Sequence, residues 1–395
     1  MDFFELLRFS LGEDVKMSSI DKTDWVALHQ CAKQHSLLGV VFGGIERLPP
    51  NMYPPREILL RWYSESEAIK KQNAYVNNVV VSLSELYAKQ GLHVCILKGQ
   101  GNNLLYPNPY TRTPGDIDVW LVPNSTCTIK DIISWSRKNN ENGRALYHHV
   151  DAGMYKGVEV EVHYRPSFMN NLIHNRRLQK WFEENAEEQF AHEVDLPNGV
   201  GQICVPTNTF NRIYQMAHIY NHVIHEGVGL RQLIDYYYLL KKAKDESEKL
   251  KVKSEKFFDE NSGQKSGNLN AGHVGSEGLE FRDESLESTL RYLNLYKFAG
   301  AVMWVLKEKL GLEDKYLIVP PNEMLGRFLL DEIMQGGNFG QYDTRVKHGS
   351  SQLSKNTQRL KRDFRLMWYF PSECLWEPVF RVYHFFWRVL VKFRV

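Results

Sequence analysis

Cysteine is scarce and scattered in this chain: Cys31, Cys95, Cys127, Cys204 and Cys374, an odd total with no CxxC spacing. That arrangement argues against a disulfide framework or a zinc knuckle and suits a reducing compartment. Long apolar runs are missing too, since no uncharged stretch approaches the ~20 residues needed to span a bilayer. The opening residues, MDFFELLRFSLGED, carry acids where a secretory leader carries basic residues. Net charge is nearly absent at +2, so bulk attraction for long duplex nucleic acid is not expected. These absences lead to the expectation of a cytoplasmic, soluble protein.

What is present is core material. The 395 residues are 43% hydrophobic and 24% charged, ordinary for a globular protein of two or three domains. Residues 1–48 have helical spacing, and Pro49, Pro50, Pro54 and Pro55 mark a loop. A long helix is predicted from Arg56 to Gln90, stopped by Gly91. A short strand, HVCIL, then enters the turn Lys98-Gly99-Gln100-Gly101. A second strand, GDIDVWLV, spans Gly115–Val122 and is followed by a helix over 125–138. RALYHHVDAGMYKGVEVEVHYRP predicts a hairpin turning at Tyr155-Lys156-Gly157, with Glu159, Glu161 and His163 on one face of its second arm. Helical patterns dominate from Leu172 onward, interrupted by a small hairpin around Asn198-Gly199.

The chemistry concentrates on the second strand. Asp116 and Asp118 are two apart, so their side chains share a face of the strand. Two carboxylates that close repel unless a cation lies between them. Hard oxygen ligands suit Mg²⁺, and Mg²⁺ suits nucleotide phosphates. A two-metal site needs a third carboxylate. Glu161, on the arm expected beside GDIDVW, is the candidate, with Glu159 as runner-up. A glycine turn can aim backbone N–H groups at phosphate, which makes Lys98, Gly99 and Gln100 candidate phosphate contacts. An isolated pair of aspartates on a solvent-facing strand edge is the bland alternative.

The run Leu97-Lys98-Gly99, then Tyr106-Pro107, Arg112 and Gly115-Asp116-Ile117-Asp118-Val119 resembles the uncharacterised nucleotidyltransferase family of the DNA polymerase β-type superfamily. Glu161-Val162-His163 and the His-rich helix ahead of Arg231 and Asp235 resemble it too. The resemblance runs from about residue 60 to 240. It implies an α+β fold, with a small mixed sheet, flanking helices and mostly helical N- and C-terminal regions. It also implies transfer of an NMP from an NTP to an acceptor, with Asp116, Asp118 and Glu161 binding Mg²⁺. Better-known members have Gly-Ser at the turn where this chain has Gly99-Gln100. Lys98 could substitute for that serine, or the chain could be a catalytically silent nucleotide-binding or docking module. The implied division is 1–90 helical, 91–205 the α/β nucleotidyltransferase core, 206–243 a helical substrate-side region, 244–283 a mobile insertion or linker, and 284–395 C-terminal helices. An alternative within the insertion is a helix extended through Leu250–Phe258.

Several residues keep two readings. Arg112 is either a second phosphate contact or a tie from the Pro-rich loop to Asp116 or Asp118. His218, His222 and His225 recur on one helical face, as metal ligands, core residues or cleft groups, with His222 or His218 as general base for an acceptor hydroxyl. Arg231 and Asp235, four apart, are expected to pair. Residues 345–395 carry eleven Lys/Arg against three Asp/Glu. Their last helix either lies on an anionic membrane surface, docks a partner such as an RNA end, or completes the protein's own core.

Overall fold

Alternating valines and polar residues set the sheet. Val158, Val160 and Val162 are buried on one side of a strand, while Glu159, Glu161 and His163 stand on the other. The computed structural model describes residues 1–15, 23–122, 127–262, 277–345 and 352–392. In chain order, helices α1 (Phe3–Ser10), α2 (Trp25–Gln34), α3 (Leu38–Ile45) and α4 (Arg56–Ala88) come first. Strand β1 (Cys95–Leu97), helix α5 (Gly99–Asn103), strand β2 (Ile117–Trp120) and helix α6 (Ile129–Asn139) follow. The hairpin is β3 (His149–Tyr155) and β4 (Val158–His163), turning through Lys156 at φ 46° and Gly157 at φ 76°, the left-handed pair that a two-residue hairpin turn requires.

The sheet order is β1-β2-β4-β3. β2 and β4 run parallel and the outer pairs antiparallel, the small mixed sheet of an α+β fold. Its apolar face, with Ile96, Ile117, Val119 and the β4 valines, packs on Val76–Tyr87 of α4 and on Ile132 and Ile133 of α6. The other face meets the helices that follow. These are α7 (Leu172–Glu184), α8 (Ala186–Ala191), the small hairpin β5 (Glu193–Asp195) and β6 (Gln202–Cys204), α9 (Asn208–His225) and α10 (Leu230–Ser262). Thr207 caps α9 by accepting from the Phe210 amide, and this helix lies over the polar side of the sheet. Trp120 stacks there on Phe210, with ring centroids 5.4 Å apart.

Two expectations shift. β2 is shorter than Gly115–Val122, so Asp116 sits just ahead of the strand. α10 runs on to Ser262, so residues 244–262 continue a helix as the alternative allowed, while 263–276 lie outside the described residues. Helices α11 (Glu277–Tyr292), α12 (Tyr296–Leu310), α13 (Glu323–Gly336), α14 (Gln352–Met367) and α15 (Pro371–Lys392) complete the fold. The inner side of α15 joins the protein's own core, with Phe380 stacked on Phe168 at 5.0 Å. Its outer side leaves Leu375, Val379, Val382, Phe386 and Leu390 exposed. Among the described residues no helix is long and apolar enough to cross a membrane.

Ile96 is buried between Val119 across the strand pair and the α4 side chains. Ile96→Ala is expected to cost about 2–5 kcal/mol in denaturant unfolding, the range for emptying a core aliphatic site. A loss below about 1 kcal/mol would mean that this end of the sheet is not the packed layer described.

Candidate active site

Strand register assembles the acids. Leu97 lies opposite Asp118, Asp118 opposite Glu161, and Trp120 opposite His163. Register partners on neighbouring strands share a face, so two carboxylates meet on the polar side of the sheet. Cations offset them. His163 Nε2 is 2.8 Å from Asp118 Oδ1 and 3.5 Å from Glu161 Oε2. Lys98 Nζ is 3.0 Å from the same Asp118 oxygen. Burial alone would raise the Asp118 carboxyl, but Lys98 and His163 hold it below the ordinary carboxylate range. Burial disfavours the His163 cation, yet its bonds to Asp118 and Glu161 push it up to about 9.

Among the described residues, ligand atoms lie within 4.8 Å of one another in three overlapping groups: Asp118, Glu161 and His163; His148, His149 and His163; and His149, Asp151 and Glu161. The Asp118 and Glu161 carboxylates offer oxygen ligands that suit a hard divalent cation. His163, held as a cation between them, would have to give up its proton to join them. Asp116 belongs to none of these groups but lines the same cavity, of about 280 Å³. The charge on Asp118, together with desolvation, raises the Asp116 carboxyl to about 6 although the residue reaches solvent.

The turn before α5 is strained. Lys98 has φ 52° and ψ −137°, and Gly99 follows at φ 43°. A non-glycine residue held at positive φ costs on the order of 1–3 kcal/mol, and here the turn carries a lysine that sits on the acid pair. Of the four expected phosphate contacts, Lys98, Gly99 and Arg112 line the cavity. The Gln100 side chain does not. It is buried against α4, donating to Asn77 Oδ1 and to the Asn73 carbonyl.

Arg112 does not tie its loop to Asp116 or Asp118. It makes a bidentate, buried pair with Asp235, Nε to Oδ1 at 2.7 Å and Nη2 to Oδ2 at 2.8 Å. Tyr106 Oη donates to the same carboxylate at 2.5 Å. The Arg231–Asp235 pair expected from spacing is therefore replaced by Arg112–Asp235. Arg231 turns into the cavity wall, where Nη1 donates to the Thr113 carbonyl at 3.0 Å.

On α9, His218 and His222 reach the cavity with Nε2 atoms 2.8 Å apart. Lys98 Nζ lies 3.1 Å from His218 Nε2, and His222 Nδ1 is 3.2 Å from Glu226 Oε2. Burial, then Lys98, lowers His218 well below the usual imidazole range. His225 does not join them and stacks on Phe168 at 5.5 Å. Phe339 enters the cavity from the loop after α13 at φ 53°, with its ring 5.1 Å from that of His222.

Sequence reasoning missed His148, His149 and Phe339 as cavity residues. A signal for His163 was present, since strand alternation puts it on the face of Glu161. The Gly336-Gly337-Asn338-Phe339-Gly340 run signals a loop but not where the loop goes.

The model of a family described as uncharacterised nucleotidyltransferase matches residues 21–256, more than half of the chain. The crystal structure of an antigenic nucleotidyltransferase-like protein from Paracoccidioides brasiliensis is similar at 14% identity, covering 55% of this chain and 92% of that one with a TM-score of 0.28. Overlap that slight has no bearing on the site. No curated protein matches.

Arg112→Ala is expected to destabilise the fold by about 3–5 kcal/mol, because it strands a buried carboxylate. Chemical unfolding measures this, and a loss near zero would remove the pair from the framework. The second expectation concerns pH. Folded Asp116 keeps its proton to about 6, whereas an unfolded Asp releases it near about 4. Its ionisation therefore costs stability as pH rises through that window. The melting temperature of Asp116→Asn should gain on wild type between pH 4 and pH 7, and a constant difference would contradict the raised value.

Proposed function

This chain belongs to the uncharacterised nucleotidyltransferase family, and on that premise we propose that it moves an NMP from an NTP to an acceptor hydroxyl or phosphate. The cofactor in this reading is Mg²⁺, held by Asp116, Asp118 and Glu161. The observation that carries the reading is the parallel register of β2 and β4, which sets Asp118 opposite Glu161 at the floor of a polar cavity. Bound there, the ion would neutralise phosphate charge and align the attacking and leaving oxygens.

The remaining work falls to side chains. Lys98 and His163 keep Asp118 ionised, ready to accept a cation. Asp116 at the rim loses its proton above about pH 6, so cation binding strengthens through that range. Gly99 lines the cavity without a side chain and leaves its backbone open to phosphate. His222 is assigned as general base for the acceptor hydroxyl. Glu226 at Nδ1 orients its ring, and Nε2 faces the cavity beside His218. The acceptor is a small molecule, a saccharide intermediate, a protein or an RNA end. Long duplex nucleic acid is disfavoured by the small net charge.

Two observations favour a second reading, a catalytically silent nucleotide-binding module. Lys98 already occupies Asp118, and Gln100 faces away from the cavity. Transfer of label from NTPs with Mg²⁺, across a panel of acceptors, separates the two. The enzyme reading predicts transfer that falls at least about a hundredfold in Asp118→Ala, since a metal ligand contributes several kcal/mol. Mg²⁺-dependent NTP binding without transfer to any acceptor favours the silent module. NTP binding indifferent to Mg²⁺ and to Asp116→Ala/Asp118→Ala would sink the metal site.

A further inference from the structure

Three of the cavity's cations can be accounted for by their neighbours. Lys98 sits on Asp118, His163 on Asp118 and Glu161, and Arg112 on Asp235. Arg231 has no such partner. It is 8% exposed, and among the described residues no carboxylate lies within salt-bridge reach of it. Of the five N–H donors a guanidinium offers, one is used, on the Thr113 carbonyl. Its Nε is buried with nothing to bond. The carboxylate one helical turn along, Asp235, has both oxygens engaged by Arg112. A buried cation with no ion pair of its own is among the more costly arrangements in a protein, and Asp235 and Asp116 offset this one only from a distance. Here it is held at the wall of the cavity that contains the acid pair.

We infer that Arg231 is the anion anchor of this cavity and that its ligand is a polyphosphate chain, the di- or triphosphate of a nucleotide. The naming of that nucleotide as substrate rests on the transfer reading above; the anchoring does not. The guanidinium fork matches phosphate oxygens in pairs. A simple carboxylate ligand is a poorer fit, because Asp116, Asp118 and Glu161 line the same cavity and repel an anion that brings no cation with it. Phe339 backs the guanidinium, with its ring centroid 5.8 Å from Cζ.

The test uses inorganic tripolyphosphate as its Mg²⁺ complex for probe, so that the anion brings a cation with it, the full chain, and wild type beside Arg231→Gln and Arg231→Lys. Calorimetry should find tripolyphosphate bound by wild type, at least tenfold more weakly by Arg231→Gln, and at intermediate strength by Arg231→Lys, which keeps charge but not the fork. In phosphate-free buffer Arg231→Gln should melt no lower than wild type, because an unpaired buried charge has gone; a purely structural arginine would do the opposite. Tripolyphosphate should raise the melting temperature of wild type and not of Arg231→Gln. Equal affinity in wild type and Arg231→Gln, or no binding by wild type, overturns the inference. If Arg231→Gln does not fold, Arg231→Lys decides: weakened binding at an unchanged far-ultraviolet spectrum supports the anchor, and unchanged affinity overturns it. Wild type that binds tripolyphosphate through Arg231 but transfers no nucleotide leaves the anchor standing and removes the transfer reading alone.

Discussion

The parallel pairing of β2 with β4 constrains everything around it. Asp118 and Glu161 are in register, so the chain must hold two acids on one face of a small sheet. Like charges at that separation are tolerated only with cations among them. His163 and Lys98 supply those cations, and supplying them has structural consequences. The lysine must come from a turn at positive φ, and the imidazole must be buried where only its acid partners make it stable as a cation. The polar face of the sheet thus becomes a charged floor with α9 as its wall, while the valine face carries the packing against α4 and α6.

A second buried pair fixes the loop between α5 and β2. Arg112 lies in that loop and Asp235 on α10, and their bidentate contact joins the sheet layer to the helical layer. Asn73 of α4 reinforces the loop by donating to the Tyr110 and Arg112 carbonyls. With Asp235 spent on Arg112, Arg231 is left facing the cavity. The stability of the framework and the positive charge available to a ligand are therefore two results of one pairing choice.

Much of this was legible in the sequence where the signal is local. Period-two alternation places Glu161 with His163 and the valines opposite, and the Asp116–Asp118 spacing points to an acidic face, although Asp116 itself sits just ahead of the strand. The tight hairpin follows from Lys156-Gly157. What was not legible depends on distant partners. Local spacing favours Arg231–Asp235, but Arg112, 123 residues away, offers the carboxylate a fork with two short bonds. Gln100 looks like a turn residue facing phosphate until α5 rotates it onto Asn77 of α4. Phe339 is brought to the cavity by packing of Gly340 against Gly227 and of Asn338 against Gly229, and it lies beyond the 21–256 family match. The Leu230–Ser262 helix outruns its apolar pattern, so periodicity could not mark its end.

The central claim is that the Asp118–Glu161 face is where metal and nucleotide phosphate meet. A crystal structure of the full chain with Mg²⁺ and a non-hydrolysable NTP tests it most directly. Mg²⁺ is expected on carboxylate oxygens of Asp118 and Glu161 at about 2.0–2.1 Å, with phosphate oxygens completing its shell and Arg231 on the polyphosphate chain. Nucleotide bound elsewhere, or bound in the cavity with no metal on either carboxylate, would contradict it.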